Sequence, residues 1–272
     1  MNAPVRTAPS APVLLHEALG DVAVLTLNRP DARNSLSEAL IAALTESLAD
    51  IAADSRVRVV VLAANGPAFS AGHDMKEMTA RRSDPDRGRA YFKQLMDACS
   101  SMMQAIVRLP KPVIACVQGA ASAAGCQLVA SCDLAVASSA AKFATPGVNI
   151  GLFCSTPMVA LSRNVARKHA MEMLLTGDLI DAEEARRIGL VNRVVPAGTE
   201  REAALALARQ IASKSALTVK IGKEAFYRQL EMPLAEAYRY ASDVMVENML
   251  ARDAAEGIGA FIEKRTPTWE DR

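Results

Sequence analysis

The sequence predicts an α/β fold with parallel strand pairing, followed by an all-helical C-terminal region. Three observations carry this. Residues 22–28 (VAVLTLN) and 57–64 (VRVVVLAA) are β-branched and apolar, and each runs into turn residues, as buried strands do. Between them Leu40, Leu44, Leu48 and Ile51 recur at helical spacing. From about Glu200 onward every periodic stretch is helical. Strands alternating with helices imply parallel pairing, because the crossover helix returns the chain to the same end of the sheet.

In chain order, residues 1–12 are rich in alanine and proline and read as a disordered arm, without the apolar run of a secretory signal. Residues 13–199 form the α/β core and 200–272 the helical region. Ser37 is the N-cap expected for the first helix. An amphipathic helix spans about 86–109, and 111–119 (KPVIACVQG) is the next strand. A stretch of small residues and an apolar helix follow over 119–133, then short strands at 133–138 and 141–146. Asp181 with Glu184 makes a capping box, and Gly189 is placed to end the short helix it opens. The last runs, 201–215, 217–230 and 233–264, read as helical with no strand among them.

Composition excludes several classes. At 272 residues, 51% hydrophobic and 22% charged, the chain can bury one large core. With Lys+Arg 31 against Asp+Glu 30 there is no net field to attract nucleic acid or an anionic membrane surface. No run is long and apolar enough to span a bilayer. Cys99, Cys116, Cys126, Cys132 and Cys154 lack a CxxC pair, so neither a disulfide framework nor a zinc site is expected. His16 and His169 have no companions at ligand spacing, so no metal is expected. GxSxG and GxxxxGK[ST] are both absent.

Two turns carry chemistry. In 69–78 (FSAGHDMKEM) a glycine turn follows a buried strand and can aim backbone N–H groups at an oxyanion, with Asp74 as the helix cap. In 119–133 (GAASAAGCQLVASCD) a strand end and six nearly side-chain-free residues open a helix, so a ligand can approach its N-terminus. Tight helix packing explains the small residues equally well.

The stretches 68–78, 111–146 and 174–196, in this order, resemble the crotonase superfamily, also called enoyl-CoA hydratase/isomerase; the likeness extends over about 13–263. It implies a crotonase-like spiral of ββα units with a C-terminal helical trimerisation region. It also implies a homotrimer or dimer of trimers and an acyl-CoA thioester ligand, with CoA entering as part of the substrate and no separate cofactor. The thioester oxygen would be held by the backbone N–H groups of His73 and Ala124. Arg33 and Ala71, with Phe261 and Lys264 near the C-terminus, are implied CoA contacts. Lys220, Lys223 and Phe226 read either as part of that CoA surface or as a solvated helix face.

The departures from the resemblance are specific. A hydratase of this superfamily holds water with two glutamates, and their positions are Gln127 and Gly147 here. An amide has no useful pKa and glycine no side chain, so neither transfers a proton. Candidates for a relocated base include His73 and Cys154, the latter at an expected helix start with Pro157 just inside, where an N-capping Ser155 and an inert cysteine are the alternative. Three readings follow: a CoA-thioester protein with the oxyanion hole but without hydratase chemistry, an active hydratase or isomerase with a relocated base, and a non-catalytic binder. The expected compartment is the bacterial cytoplasm, or the mitochondrial matrix in a eukaryote.

Overall fold

The computed structural model describes residues 11–272, so most of the arm read at 1–12 lies outside the described residues. The first strand, β1 (Leu14–Leu19), turns back antiparallel onto β2 (Val22–Leu27). Helix α1 (Glu38–Ala53) follows, and the Ser37 side chain accepts the Leu40 N–H as its N-cap. From there one unit recurs: a long strand, a three-residue strand, then helix. β3 (Val59–Ala64) leads to β4 (Ala68–Ser70), α2 (Met75–Ala80) and α3 (Arg89–Arg108). β5 (Val113–Val117) leads to β6 (Ala120–Ser122) and α4 (Ala124–Ser131). β7 (Leu134–Ser138) leads to β8 (Lys142–Ala144), α5 (Pro157–Asn164) and α6 (Arg167–Thr176). β9 (Ile180–Asp181), α7 (Ala182–Arg187) and β10 (Arg193–Val195) close the spiral.

The long strands form one sheet in the order β1-β2-β3-β5-β7-β10, and the short ones a second in the order β4-β6-β8-β9. Apart from the antiparallel pairs β1–β2 and β8–β9 every pairing is parallel, as the alternation of strand and helix requires. Strands β2, β3, β5 and β7 are buried on both faces, which explains their apolar character. Leu25, Leu27, Val60 and Leu62 face the core built with α1, α3 and α4. Val24, Val59, Val61, Ile114 and Cys116 face Ala204, Leu207 and Ala208 of α8 (Glu200–Ala212). The first helix of the C-terminal region thus covers the back of the sheet.

Beyond it lie α9 (Ala216–Gln229), α10 (Leu234–Leu250) and α11 (Arg252–Glu263). The helical run 233–264 divides into two helices at Ala251, which takes an extended conformation at φ −66°, ψ 145°. No helix among the described residues is long and apolar enough to cross a membrane.

Candidate active site

The first turn is set by backbone bonds to residues 33–36. The Ala71 N–H donates to the Arg33 carbonyl at 3.0 Å, the Leu36 N–H to the Gly72 carbonyl at 2.7 Å, and the Asp74 N–H to the Leu36 carbonyl at 3.2 Å. Gly72 has φ +91°, a conformation that favours glycine. Asp74 caps α2, accepting from the Lys76 and Glu77 N–H groups at 3.1 and 3.4 Å. It also pairs with Arg29 at 2.9 Å and accepts from the Ser35 hydroxyl at 3.1 Å. Burial pushes the Asp74 carboxyl up, but Arg29 and the other donors outweigh it and hold the group below its ordinary value.

The second turn joins β6 to α4 through Ala123, which has φ 50° and ψ −116°. Its N–H donates to the Ala144 carbonyl at 2.9 Å, tying it to the next spiral turn. Ala124 is the first residue of α4, where an N–H has no intrahelical acceptor. The two turns touch. A Cβ built on Gly72 would stand 3.0 Å from the Ala123 Cβ and 3.3 Å from the Ala124 N, and one on Gly125 only 2.2 Å from the Ser70 carbonyl oxygen. Only glycines at 72 and 125 permit this approach, and it puts His73 beside the start of α4. Neither the His73 nor the Ala124 N–H meets an acceptor among the described residues.

Around these amides are polar atoms without partners. Gln127, on the first turn of α4, is buried with its Oε1 unpaired, and the His73 Nε2 is likewise buried and unpaired. Burial pushes the His73 imidazole below its ordinary pKa, so it is neutral at pH 7. Thr145 is fully buried and its hydroxyl is also unpaired. It stands at the start of the short helix Pro146–Ile150 without capping it. Sequence reasoning did not single out Thr145; its place directly before Pro146 was the available signal.

Gly147 is more than a missing side chain. Its carbonyl accepts the Leu152 N–H at 2.9 Å, and a Cβ there would meet the Leu152 carbonyl oxygen at 2.5 Å and the Cys154 Sγ at 3.0 Å. The backbone of 151–154 fills the space a side chain would need. Cys154 is not the activated thiol that a relocated base would need: burial pushes its pKa up, and the Gly147 backbone offsets this only in part. Helix α5 starts later than expected, with Thr156 at the N-cap, and the Ser155 hydroxyl donates to the Phe153 carbonyl instead.

Of the implied CoA contacts, Arg33 and Ala71 are joined by their backbone bond and exposed beside the first turn. Phe261 is 84% exposed on α11, and Lys264, also exposed, ends that helix at φ 55°. Lys223 is no surface lysine: it is buried, 2.7 Å from Asp133, with the Ile106 and Lys111 carbonyls at 3.0 Å. Lys220 and Phe226 are exposed.

The profile of the enoyl-CoA hydratase/isomerase family matches residues 17–272. The chain belongs to that family. Within it the chain is 49% identical over 245 residues to enoyl-CoA hydratase domain-containing protein 3, mitochondrial, of Rattus norvegicus, covering 90% of this chain and 80% of the relative. Among solved structures, the human enoyl Coenzyme A hydratase domain-containing protein 3 is 47% identical at TM-score 0.90, over 94% of this chain and 100% of that one. An enoyl-CoA hydratase of Mycobacterium smegmatis is 52% identical at TM-score 0.91, over 95% and 99%. The crotonase fold expected from the three motifs is therefore the fold of this chain, and the spiral of paired long and short strands is its physical form.

Proposed function

We propose that this family member binds acyl-CoA thioesters, holds the thioester oxygen between the N–H groups of His73 and Ala124, and stabilises an enolate without hydratase chemistry. The observation that carries the reading is the contact of Gly72 with Ala123 and Ala124, which brings two acceptor-free amides together. When the α-carbon loses a proton, negative charge builds on the thioester oxygen. Two N–H donors and the positive end of α4 stabilise it, and one such donor is typically worth about 10²–10³ in rate. CoA enters as part of the substrate, with no separate cofactor.

Addition of water is not supported. Gln127 hydrogen-bonds but does not titrate, and the space at Gly147 is filled. General acid–base help is worth about 10²–10⁴, so hydration of a 2-enoyl-CoA should run slower by about that factor than with two glutamates. The second reading, a hydratase or isomerase with a relocated base, is favoured by one observation: His73 is neutral with a free Nε2, so it can accept a proton. Cys154 is the poorer candidate because its thiol is held protonated.

The deciding experiment pairs calorimetry with turnover. Octanoyl-CoA should bind the wild type, and Ala124→Pro, at a helix position where proline is tolerated, should weaken binding about tenfold with the fold intact by circular dichroism. Unchanged affinity in that variant removes the oxyanion assignment. Rapid crotonyl-CoA hydration by the wild type that is lost in His73→Gln establishes the second reading. Binding with no α-proton exchange in deuterated water leaves a non-catalytic binder.

A homotrimer, or a dimer of trimers, is part of the proposal, supported by exposed Leu234, Tyr238, Met249, Leu250 and Phe261 on α10 and α11. Light scattering showing a stable monomer would remove it. On this reading the chain works in the bacterial cytoplasm, or in the mitochondrial matrix if it is eukaryotic.

A further inference from the structure

The segment between α2 and α3 has no role in the thioester chemistry, yet its construction is unusual. Arg81, Arg82, Arg87 and Arg89 lie within nine residues, and none forms an ion pair among the described residues. Three of them, Arg82, Arg87 and Arg89, line one open surface hollow together with Asp86 and Phe92. Two acids, Asp84 and Asp86, lie in the same stretch, and neither forms an ion pair with them. Asp86 spends its carboxylate on the Gly88 and Ala90 N–H groups, at 2.9 and 2.8 Å, and those bonds hold it below its ordinary pKa.

The hollow is held in shape. The Arg82 guanidinium lies 5.8 Å from the Phe92 ring centre, and Arg81 lies 5.0 Å from that of Tyr91. Arg87 and Gly88 are both left-handed, at φ 59° and 84°. A Cβ on Gly88 would stand 2.9 Å from both the Arg81 carbonyl oxygen and the Phe92 ring, so the turn that presents Arg87 is closed tightly onto its neighbours. A non-glycine residue in that conformation is strained, and such strain gathers at functional segments.

Position supplies the ligand. Asp74, directly after His73, caps α2, whose six residues span about 9 Å, and Arg81 and Arg82 follow its last residue, so this segment leaves the proposed thioester site by one short helix. Guanidinium groups bind carboxylates through paired N–H donors. We propose that Arg82, Arg87 and Arg89 bind the free carboxylate at the far end of a dicarboxylic acyl chain, making an acidic acyl-CoA the preferred substrate class. This rests on the acyl-CoA reading above. A phosphate of CoA carries the same charge, and the test must separate the two.

The test is calorimetry of suberyl-CoA, octanoyl-CoA and free CoA against the wild type and Arg82→Gln/Arg87→Gln. These arginines are exposed, so the substitutions leave the fold in place. The wild type should bind suberyl-CoA at least about tenfold more tightly than octanoyl-CoA, with the preference shrinking as salt rises, and the variant should bring the ratio close to one. An equal loss of all three ligands in the variant would assign the arginines to CoA phosphates and overturn the proposal. A wild-type ratio near one, with octanoyl-CoA bound, overturns it while leaving the acyl-CoA reading intact. If no thioester binds the wild type, both fall.

Discussion

Gly147 and Leu152 are packed backbone to backbone: the Leu152 N–H bonds the Gly147 carbonyl at 2.9 Å, and a Cβ on Gly147 would stand 2.5 Å from the Leu152 carbonyl oxygen. Backbone cannot swing aside as a flexible side chain can. Gly147→Ala should therefore cost about 1–3 kcal/mol, the range for overpacking. Urea denaturation checks the loss, and hydrogen exchange should locate it at 151–154. A stability equal to wild type would mean that this loop yields freely and that 147 can take a side chain.

Gln127→Glu puts a carboxyl on the first turn of α4. A carboxyl at this buried site has no charged partner, so burial raises its pKa well above the ordinary carboxylate range. With the folded pKa raised, the folded state binds more protons, and the variant loses stability relative to wild type as pH rises above about 4.3. Melting temperatures at pH 5 and 8 should show the deficit growing with pH. A pH-independent difference would indicate a partner or water that already compensates the charge.

His73 works in the opposite direction. Burial depresses its folded pKa below the unfolded value of about 6.5, so its contribution is fully present above that pH and is lost as pH falls through the folded value. His73→Gln should melt with a smaller difference between pH 7 and pH 5 than the wild type. An identical pH profile would mean that other groups dominate acid destabilisation.

The Lys223 ammonium lies 2.7 Å from Asp133, whose other oxygen accepts the Tyr227 hydroxyl at 2.9 Å, so α9 is fastened to the core by a buried charge pair. Burial lowers the Lys223 pKa, and Asp133 opposes the shift. Asp133→Asn strands the buried ammonium and should cost about 3–5 kcal/mol. Adding Lys223→Met should recover part of that loss, because the unpaired charge goes with it. Strict additivity in this cycle would show that the two groups do not interact.

What the sequence made legible was chemistry that acts locally. Ser37, Asp74 and Asp181 read as caps, and each accepts the N–H bonds a cap should. β4 and β6 were not legible, since three small or mixed residues carry no periodicity; their pairing comes from the stacking of spiral turns. The break at Ala251 was hidden because neither glycine nor proline marks it. Among candidate site residues, the amide at 127 and the glycine at 147 were plain from residue type alone. The burial of Cys154 and Lys223 and the closure over Gly147 depend on segments distant in sequence, and local pattern carries no signal for them.

Ala123 is the residue most directly set against its own backbone. At φ 50° and ψ −116° an alanine costs on the order of 1–3 kcal/mol relative to an allowed conformation. The bond from its N–H to Ala144 and that from the Gln127 N–H to its carbonyl, at 2.9 and 3.0 Å, hold it there. Ala123→Gly removes the strain but gives the unfolded chain more freedom, which opposes the gain by about 0.4–1 kcal/mol. The variant should be more stable by about 1 kcal/mol, measured as a higher urea midpoint with an unchanged slope. Because the Ala123 methyl stands only 3.0 Å from where a Gly72 Cβ would be, its removal also opens the approach to the Ala124 N–H, and octanoyl-CoA should bind no less tightly. A lower midpoint would show that the methyl's packing outweighs its strain, and that this turn is shaped for stability before ligand access.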